Sequence, residues 1–355
     1  MMKAVVRRNR QLHVEDRPDP EPGEGQVITR NLSCGICGSD LHALHGLEEM
    51  AAVGKPGIEI PEIQGIIFGH EFCGEILDHG PGTEKRLKAG TRIVAPGYVN
   101  TKIGFQTAGF SPVVPGGFAE QMILTEKLLL PVPNGLADMH AAMTEPFAVG
   151  EHAVAESDAG PDTINMVIGC GPVGLAVIAS LRARGLGPII ASDYSPARRA
   201  IAEKMGADII IDPAVESPHD KWAELGAKGV LPRSMERLFD APGKRAIVFE
   251  CVGVPGVLQS LIAGVPGWSQ IIVAGVCSQT DKFEPLMCIN KKIEFKFVYA
   301  YNFEEFSQTL HNIAEGVIDV SHLITDEVPL EGVAKAFEEL ANPELQCKVV
   351  VNPTL

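Results

Sequence analysis

The chain has 355 residues, 45% of them apolar, and a mean hydropathy close to neutral, which fits a soluble globular protein large enough for two domains. Acidic residues outnumber basic ones 45 to 30, giving a net charge of −15 and arguing against nucleic acid or an anionic membrane as partner. Any phosphate the protein binds must be held by local features, not by its overall field.

The N-terminal stretch MMKAVVRRNRQLHVEDRPDPEPGEG has no apolar core of signal-peptide length. The uncharged run Met166 to Leu181 carries three glycines and a proline and is expected to be a buried turn, not a membrane span. A cytoplasmic location is therefore expected. Eight cysteines are scattered along the chain, and only Cys34 and Cys37 form a short motif. That pattern favours buried thiols and a metal ligand over a disulfide framework.

Residues 2–135 contain short strand-like runs, KAVV, QLHV and QVITR, between turn-rich pieces such as DRPDPEPGEG and GPGTEKRLKAGTR. Proline and glycine at this density argue against long helices and predict a mostly β, barrel-like or sandwich unit. Inside it lies 34-CGICGSDLH-42, which fits three chemistries: a dithiol switch, half of a structural zinc site, or the floor of a catalytic one. The next polar cluster, 69-GHEFCGEI-76, places His70 beside Glu71, and 144-TEPFAVGEHA-153 adds the carboxylate of Glu145. Cysteine, histidine and glutamate are ligands suited to zinc, and a site with few protein ligands keeps a position open for substrate. Taken singly, each would be an ordinary surface or capping residue. Near a metal, Ser39 and His42 would carry a proton outward, and Asp40 would orient a ligand histidine. Ser39 and Asp40 equally suit a helix cap after the CGICG turn, and one residue can do both.

From Thr163 the texture changes to strands alternating with helices. INMVIG is the first strand, LAVIASLRARG a helix, PIIASD the second strand, and SPARRAIAEKMGA a helix with Ser195 at the N-cap and Pro196 at the first helical position. DIIID, AIVFECVG and QIIVAGV continue the pattern, the signature of a doubly wound parallel sheet. Between the first strand and its helix stands 169-GCGPVG-174. There Gly169, Gly171 and Gly174 permit a tight turn, close pyrophosphate approach and helix–strand packing, with Pro172 and Val173 opening the helix whose N-terminus faces the anion. An ordinary glycine-rich turn is the plain alternative. Asp193, 24 residues after Gly169, is placed to bond the adenosine ribose and favour NAD over NADP. Arg198 and Arg199 follow closely and would weaken that preference, or are simply solvated. After residue 297 come two more helical stretches, EEFSQTLHNIAEG and EGVAKAFEELA, and a closing strand, CKVVV.

Taken in order, GICGSDLH, GHEFCGEI, GGFAEQ, EPFAVGEHA, GCGPVGL and ECVG resemble the zinc-dependent medium-chain dehydrogenase/reductase superfamily over essentially the whole chain. Glu145 in its motif is nearest in texture to the sorbitol/polyol and threonine dehydrogenases. The resemblance implies an α/β protein: a mostly β GroES-like catalytic domain at 1–148 and 298–355, a Rossmann NAD-binding domain at 149–297, and the active site in the cleft. It implies one catalytic zinc on Cys37 and His70, with Glu71 and Glu145 sharing the remaining protein position. Ser39 and His42 take the proton relay, Gly169, Gly171, Gly174, Asp193 and Arg198 the cofactor, and Lys348 the place of a base facing Glu71. The activity implied is reversible hydride transfer between a small alcohol, expected to be secondary, and NAD, in a homodimer or homotetramer.

Two departures narrow this. Relatives often carry a four-cysteine structural-zinc lobe after the GTRIVAP segment, but residues 97–133 contain no cysteine, so no structural zinc is expected and apolar packing should replace it. Where polyol and threonine dehydrogenases often have an arginine, 298-VYAYN-302 has Ala300, which implies a less polar substrate pocket. Two alternatives remain open at this level: a zinc-free quinone or enone reductase of the same superfamily, and a non-catalytic NAD-binding redox sensor using Cys34 and Cys37.

Overall fold

Two kinds of strand, half-buried in the first part of the chain and buried on both faces in the middle, build the two large sheets of the computed structural model, which describes residues 1–52, 65–227 and 243–355. They belong to two compact units, one formed by Met1–Pro146 with Phe306–Leu355, the other by Phe147–Glu305.

In the first unit, β1 (Met2–Arg8) and β2 (Gln11–Arg17) form a hairpin, while β3 (Gln26–Gly35) is the hub of a seven-stranded sheet. β4 (Glu71–His79), β8 (Gln121–Thr125) and the C-terminal β17 (Lys348–Val351) all pair antiparallel with β3. β5 (Arg92–Val94) and β9 (Leu130–Pro131) extend the sheet on one side, and β16 (Ile324–Val328) on the other. Its core runs through Val6, Val27, Phe68, Phe72, Phe118 and Met122, closed by Val349 and Val351. Strands from opposite ends of the chain thus share one core.

One feature departs from the expectation of a helix-poor segment. Gly38–Ala52 is a 15-residue helix, α1, kinked at Gly46 (φ −125°, ψ 22°). The stretch has no proline, and Leu41, Leu44 and Leu47 recur every three residues, enough to bury one face. Buried Arg7 on β1 ties down its second half, donating to both oxygens of Glu48 at 3.0 Å and to the Leu44 carbonyl at 3.0 Å. In the cysteine-free stretch, β6 (Tyr98–Thr101) and β7 (Gly104–Thr107) form a hairpin. Val99, Ala108, Val114 and Phe118 from this region are buried in the main core, so apolar contacts hold it.

The second unit contains a six-stranded parallel sheet whose strands are, in spatial order, β12 (Ile209–Ile211), β11 (Ile189–Ser192), β10 (Thr163–Ile168), β13 (Arg245–Glu250), β14 (Gln270–Val273) and β15 (Glu294–Phe297). β10 (Thr163–Ile168), β11 (Ile189–Ser192), β13 (Arg245–Glu250) and β14 (Gln270–Val273) are almost entirely buried, as parallel strands covered on both faces must be. The chain starts at the sheet's centre with β10, winds outward through β11 and β12 (Ile209–Ile211), then returns to the other side at β13. This is the Rossmann winding, and its direction reverses between β10 and β13, where a crevice opens at the carboxyl ends of the strands. After the short helix α2 (Asp138–Ala142) and α3 (Thr144–Ala155), α4 (Pro172–Ala183) leaves β10, and α5 (Pro196–Lys204) leaves β11. As the sequence predicts, Ser195 caps α5, its side chain accepting from the Arg198 N–H. β15 (Glu294–Phe297) is an edge strand.

Candidate active site

Strand register creates the polar centre of the first unit. Gly35, the last residue of β3, lies opposite Glu71, the first of β4, and opposite Val350 of β17. Three segments far apart in sequence are therefore brought within a few ångströms. Gly35 is required there, since a Cβ on it would stand 2.0 Å from Glu71 Oε2 and 3.1 Å from Met143 Cε. Lys348, at the start of β17, donates to Glu71 Oε2 at 2.7 Å, to Oε1 at 2.8 Å and to the Ile36 carbonyl at 3.0 Å. Both side chains of the pair are 0% exposed. Burial acts to lower the Lys348 ammonium, but Glu71 first, then Cys37 and Glu145, outweigh it and raise its pKa.

Above this pair, Cys37 Sγ, an imidazole nitrogen of His70 and a carboxylate oxygen of Glu71 all lie within 4.8 Å of one another. Among the described residues this is the only group of three or more histidine, cysteine, aspartate or glutamate side chains so placed. Fully buried Asp40 organises it from α1. Its Oδ2 accepts the Cys37 N–H at 3.0 Å, fixing the turn, while its Oδ1 faces His70 Nδ1 at 3.5 Å. Asp40 thus combines turn support with a charge set against the imidazole. Burial opposes charging His70, but Asp40 and then Cys37 prevail and push it well above its ordinary value.

Phe110 covers His70 from another side, with ring centroids 5.2 Å apart. Cys34 is the opposite kind of cysteine. It is fully buried, packed against Gly69 and Gly117, and desolvation, then Asp40 and Glu71, hold its thiol far above the range in which thiolate forms. Glu145, in the first turn of α3 (Thr144–Ala155), stands outside the three-residue group, though its charge reaches Lys348. Ser39 sits half-buried in the first turn of α1, with His42 three residues on and exposed, a spacing that puts both on one helix face.

In the second unit the turn after β10 has the expected glycine geometry. Gly169 takes φ 91°, and a Cβ on Gly174 would lie 1.9 Å from the Gly169 carbonyl, so α4 packs directly on the strand end. Gly171 is the N-cap of α4, and Pro172 and Val173 begin it. Asp193 closes the turn: its Oδ2 accepts the Cys170 N–H at 2.7 Å and its Oδ1 the Ser195 N–H at 2.8 Å. Each oxygen keeps a lone pair for a further donor. The two arginines behind it differ. Arg199 donates to the carbonyls of Asp193 and Tyr194 and pairs with Asp212 at 2.9 Å. Arg198 reaches over the turn, with Nη1 3.9 Å from where a Gly171 Cβ would be, and its buried Nε has no protein partner.

Two residues in these sites carry no signal that sequence reasoning picked up. Phe110 lies in a segment notable only for its lack of cysteine. Glu250, the last residue of β13 and 2% exposed, accepts the N–H groups of Val252 at 2.7 Å and Gly253 at 2.9 Å, shaping the second lip of the crevice. The acidic residue opening the ECVG motif was the available clue.

Both parts of the chain are similar to known proteins. Residues 23–134 match the alcohol dehydrogenase GroES-like domain, and residues 172–315 match the zinc-binding dehydrogenase family. The chain is 31% identical to (R,R)-butanediol dehydrogenase of Bacillus subtilis (strain 168), covering 99% of this chain and 100% of the relative. It is 28% identical to sorbitol dehydrogenase of the same strain, covering 99% and 97%. The crystal structure of 2R,3R-butanediol dehydrogenase from Bacillus subtilis superposes with a TM-score of 0.80 at 28% identity, covering 99% of this chain and all of that one. No helix among the described residues is long and apolar enough to cross a membrane. With both domains matched in order and a relative aligned from end to end, the chain belongs to the zinc-dependent medium-chain dehydrogenase/reductase superfamily.

Proposed function

We infer that Cys37, His70 and Glu71, with Glu145 as the further candidate ligand, hold one catalytic zinc, and that the protein interconverts an alcohol and its ketone or aldehyde using NAD. The observation that carries this is the convergence of sulfur, nitrogen and oxygen donors within 4.8 Å of one another, a donor set that suits zinc and leaves a position open. His70 Nδ1 and Asp40 Oδ1 are buried with no hydrogen bond formed, so this face is organised for something beyond its own packing. With Nδ1 turned toward Asp40, Nε2 is the nitrogen left for a metal.

When bound, zinc supplies the Lewis acidity that lowers the pKa of an oxygen ligand, to roughly 7 for water in favourable sites. The chain's own residues do the rest. Asp40 holds the imidazole in one orientation, and Lys348 balances the charge of Glu71. Ser39 and His42, on one face of α1, move the alcohol proton outward to solvent. In the second unit the N-terminus of α4 takes the pyrophosphate. Asp193 takes the adenosine ribose and Arg198 the adjoining cofactor edge, with NAD preferred.

The catalytic domain is assigned to 1–148 with 298–355, and the NAD-binding domain to 149–297. The names of the relatives, butanediol and sorbitol dehydrogenase, support a small alcohol, expected to be secondary, as substrate. The scattered cysteines, of which only Cys34 and Cys37 form a short motif, support a cytoplasmic setting. The edge strand β15 and its surroundings expose Leu286, Ile289, Phe297 and Tyr299, which supports a homo-oligomer, dimer or tetramer, joined through this edge.

Metal analysis of the purified protein should find about one zinc per chain. Cys37→Ser and His70→Ala should abolish NADH formation from a verified alcohol while leaving NAD binding intact. Near-wild-type kcat in either variant would refute the zinc site.

A further inference from the structure

We propose that Asp212 is a specificity-determining residue of the dinucleotide site: it holds Arg199 in a neutral pair and so withholds a positive charge from the 2′-phosphate that distinguishes NADP from NAD. This rests on the assignment of the adenosine ribose to Asp193. β11 and β12 run parallel with Ser192 level with Ile211, and the next residue on each is an aspartate, Asp193 and Asp212. Two carboxylates therefore end adjacent strands, and the chain uses them differently. Asp193 accepts the N–H groups of Cys170 and Ser195, which fixes it beside the glycine turn. Asp212 accepts the Ala214 N–H through Oδ1 at 3.0 Å, while its carbonyl accepts from Val215 and Glu216, each at 3.0 Å. Its Oδ2 pairs with Arg199 Nη2 at 2.9 Å.

Arg199 reaches this place from near the start of α5. Its Nη1 donates to the carbonyl of Asp193 at 2.8 Å and to that of Tyr194 at 2.7 Å. The guanidinium is thus fastened to the backbone of the residue whose carboxylate takes the ribose, and both members of the Arg199–Asp212 pair are half-buried. The consequence is a charge balance. A 2′-phosphate carries a charge of about −1.5 to −2 near neutral pH. Beside Asp193 it meets a like charge, and in Arg199 it meets a cation that Asp212 has already neutralised. Without the Asp212 charge, the two carbonyls still hold the guanidinium in place, but nothing cancels it. Arg198 does not share this control: it lies over the Gly171 turn, and its buried Nε has no protein partner, so its contribution is the same with and without Asp212.

The test measures the Kd for NAD and for NADP by calorimetry on the full chain, at about 0.05 M and about 0.5 M salt. It compares the wild type, Asp212→Asn, Arg199→Gln and the double variant, with the melting temperature of each to separate loss of fold from loss of charge. Asparagine keeps an oxygen for the Ala214 N–H and suits the turn, so only the charge is removed. One uncompensated charge acting through water on a phosphate dianion about 8 Å away changes affinity roughly five-fold. Asp212→Asn should therefore bind NADP roughly five-fold more tightly at low salt, with the Kd for NAD little changed and the gain shrinking at high salt. Arg199→Gln, which leaves Asp212 without its counter-charge, should bind NADP more weakly, and the double variant should return to the wild-type ratio. An unchanged NADP-to-NAD ratio in Asp212→Asn, or a gain that survives in the double variant, overturns the role of Asp212 while leaving the NAD site standing. A wild type that binds NADP as tightly as NAD overturns the ribose assignment and the role of Asp212 with it, and one that binds neither overturns the cofactor site itself.

Discussion

Replacing Lys348 by methionine tests the centre of the first unit most directly. Both members of its pair with Glu71 are 0% exposed and the shorter contact is 2.7 Å; at an effective dielectric of about 20 that separation corresponds to an attraction of about 6 kcal/mol. Desolvation of the two charges offsets much of this, so the pair adds little compared with two apolar residues of the same shape. Removing only the lysine is another matter, because Glu71 then stays buried without a counter-charge and has lost two of its donors. Breaking a buried pair in this way costs about 3–5 kcal/mol. For a domain of this size that lowers the melting temperature by roughly 2–4 °C per kcal/mol.

The measurement is urea unfolding of chelator-treated protein, comparing the wild type with Lys348→Met, Glu71→Leu and the double variant. The single lysine variant should unfold well before the wild type. The double variant should recover most of the loss, because no orphaned charge remains. Zinc added back should stabilise Lys348→Met more than the wild type, since the metal would supply the missing positive charge to Glu71. If Lys348→Met unfolds within about 1 kcal/mol of the wild type, a shift common for ordinary substitutions, or if the double variant is no better than the single, the charge-balance argument fails.

Three further outcomes are expected. Gly35→Ala places a methyl group 2.0 Å from Glu71 Oε2, so it should displace the carboxylate, cost about 1–3 kcal/mol in an unfolding titration, and reduce zinc content; unchanged zinc would refute the crowding. Gly174→Ala puts a Cβ 1.9 Å from the Gly169 carbonyl and should raise the Kd for NAD in calorimetry while zinc content stays the same. His219 has a pKa lowered from 6.5 by burial, then by Lys291, and its Nδ1 accepts from the buried indole of Trp222 at 3.2 Å. The neutral ring's contribution is therefore complete above pH 6.5 and is lost as pH falls below it. Tryptophan fluorescence should show His219→Asn with a flatter stability profile between pH 7.5 and 5.5, and an unchanged slope would refute the assignment.

What could be read from the sequence divides by the range of the interactions that encode it. The GCGPVG turn was legible because its three glycines, its strand and its helix lie within one local unit, and each glycine answers a steric demand set by a neighbour a few residues away. The capping of α5 by Ser195 was equally local. α1 was obscured because the prolines and glycines on either side of it dominate the composition of the region, while its own leucine spacing is short and interrupted at Gly46. The zinc-ligand candidates could be named from motifs, but their meeting could not be derived from spacing. It depends on β3 pairing with β4 and with β17, which brings Lys348 to Glu71 across 277 residues. The resemblance singled out Cys37 over Cys34 in the CGICG turn, but the physical reason lies in the fold. Cys34 faces inward on β3 and is sealed by Gly69 and Gly117, whereas Cys37 lies beyond the strand end, where the turn held by Asp40 presents it to His70 and Glu71. Two cysteines three residues apart thus receive opposite chemistry from where the strand stops. The same boundary accounts for Gly35: as the last residue of β3 it must leave room for a carboxylate from the next strand, and only the absence of a side chain there lets the Glu71 carboxylate, its counter-charge and the turn occupy one small volume.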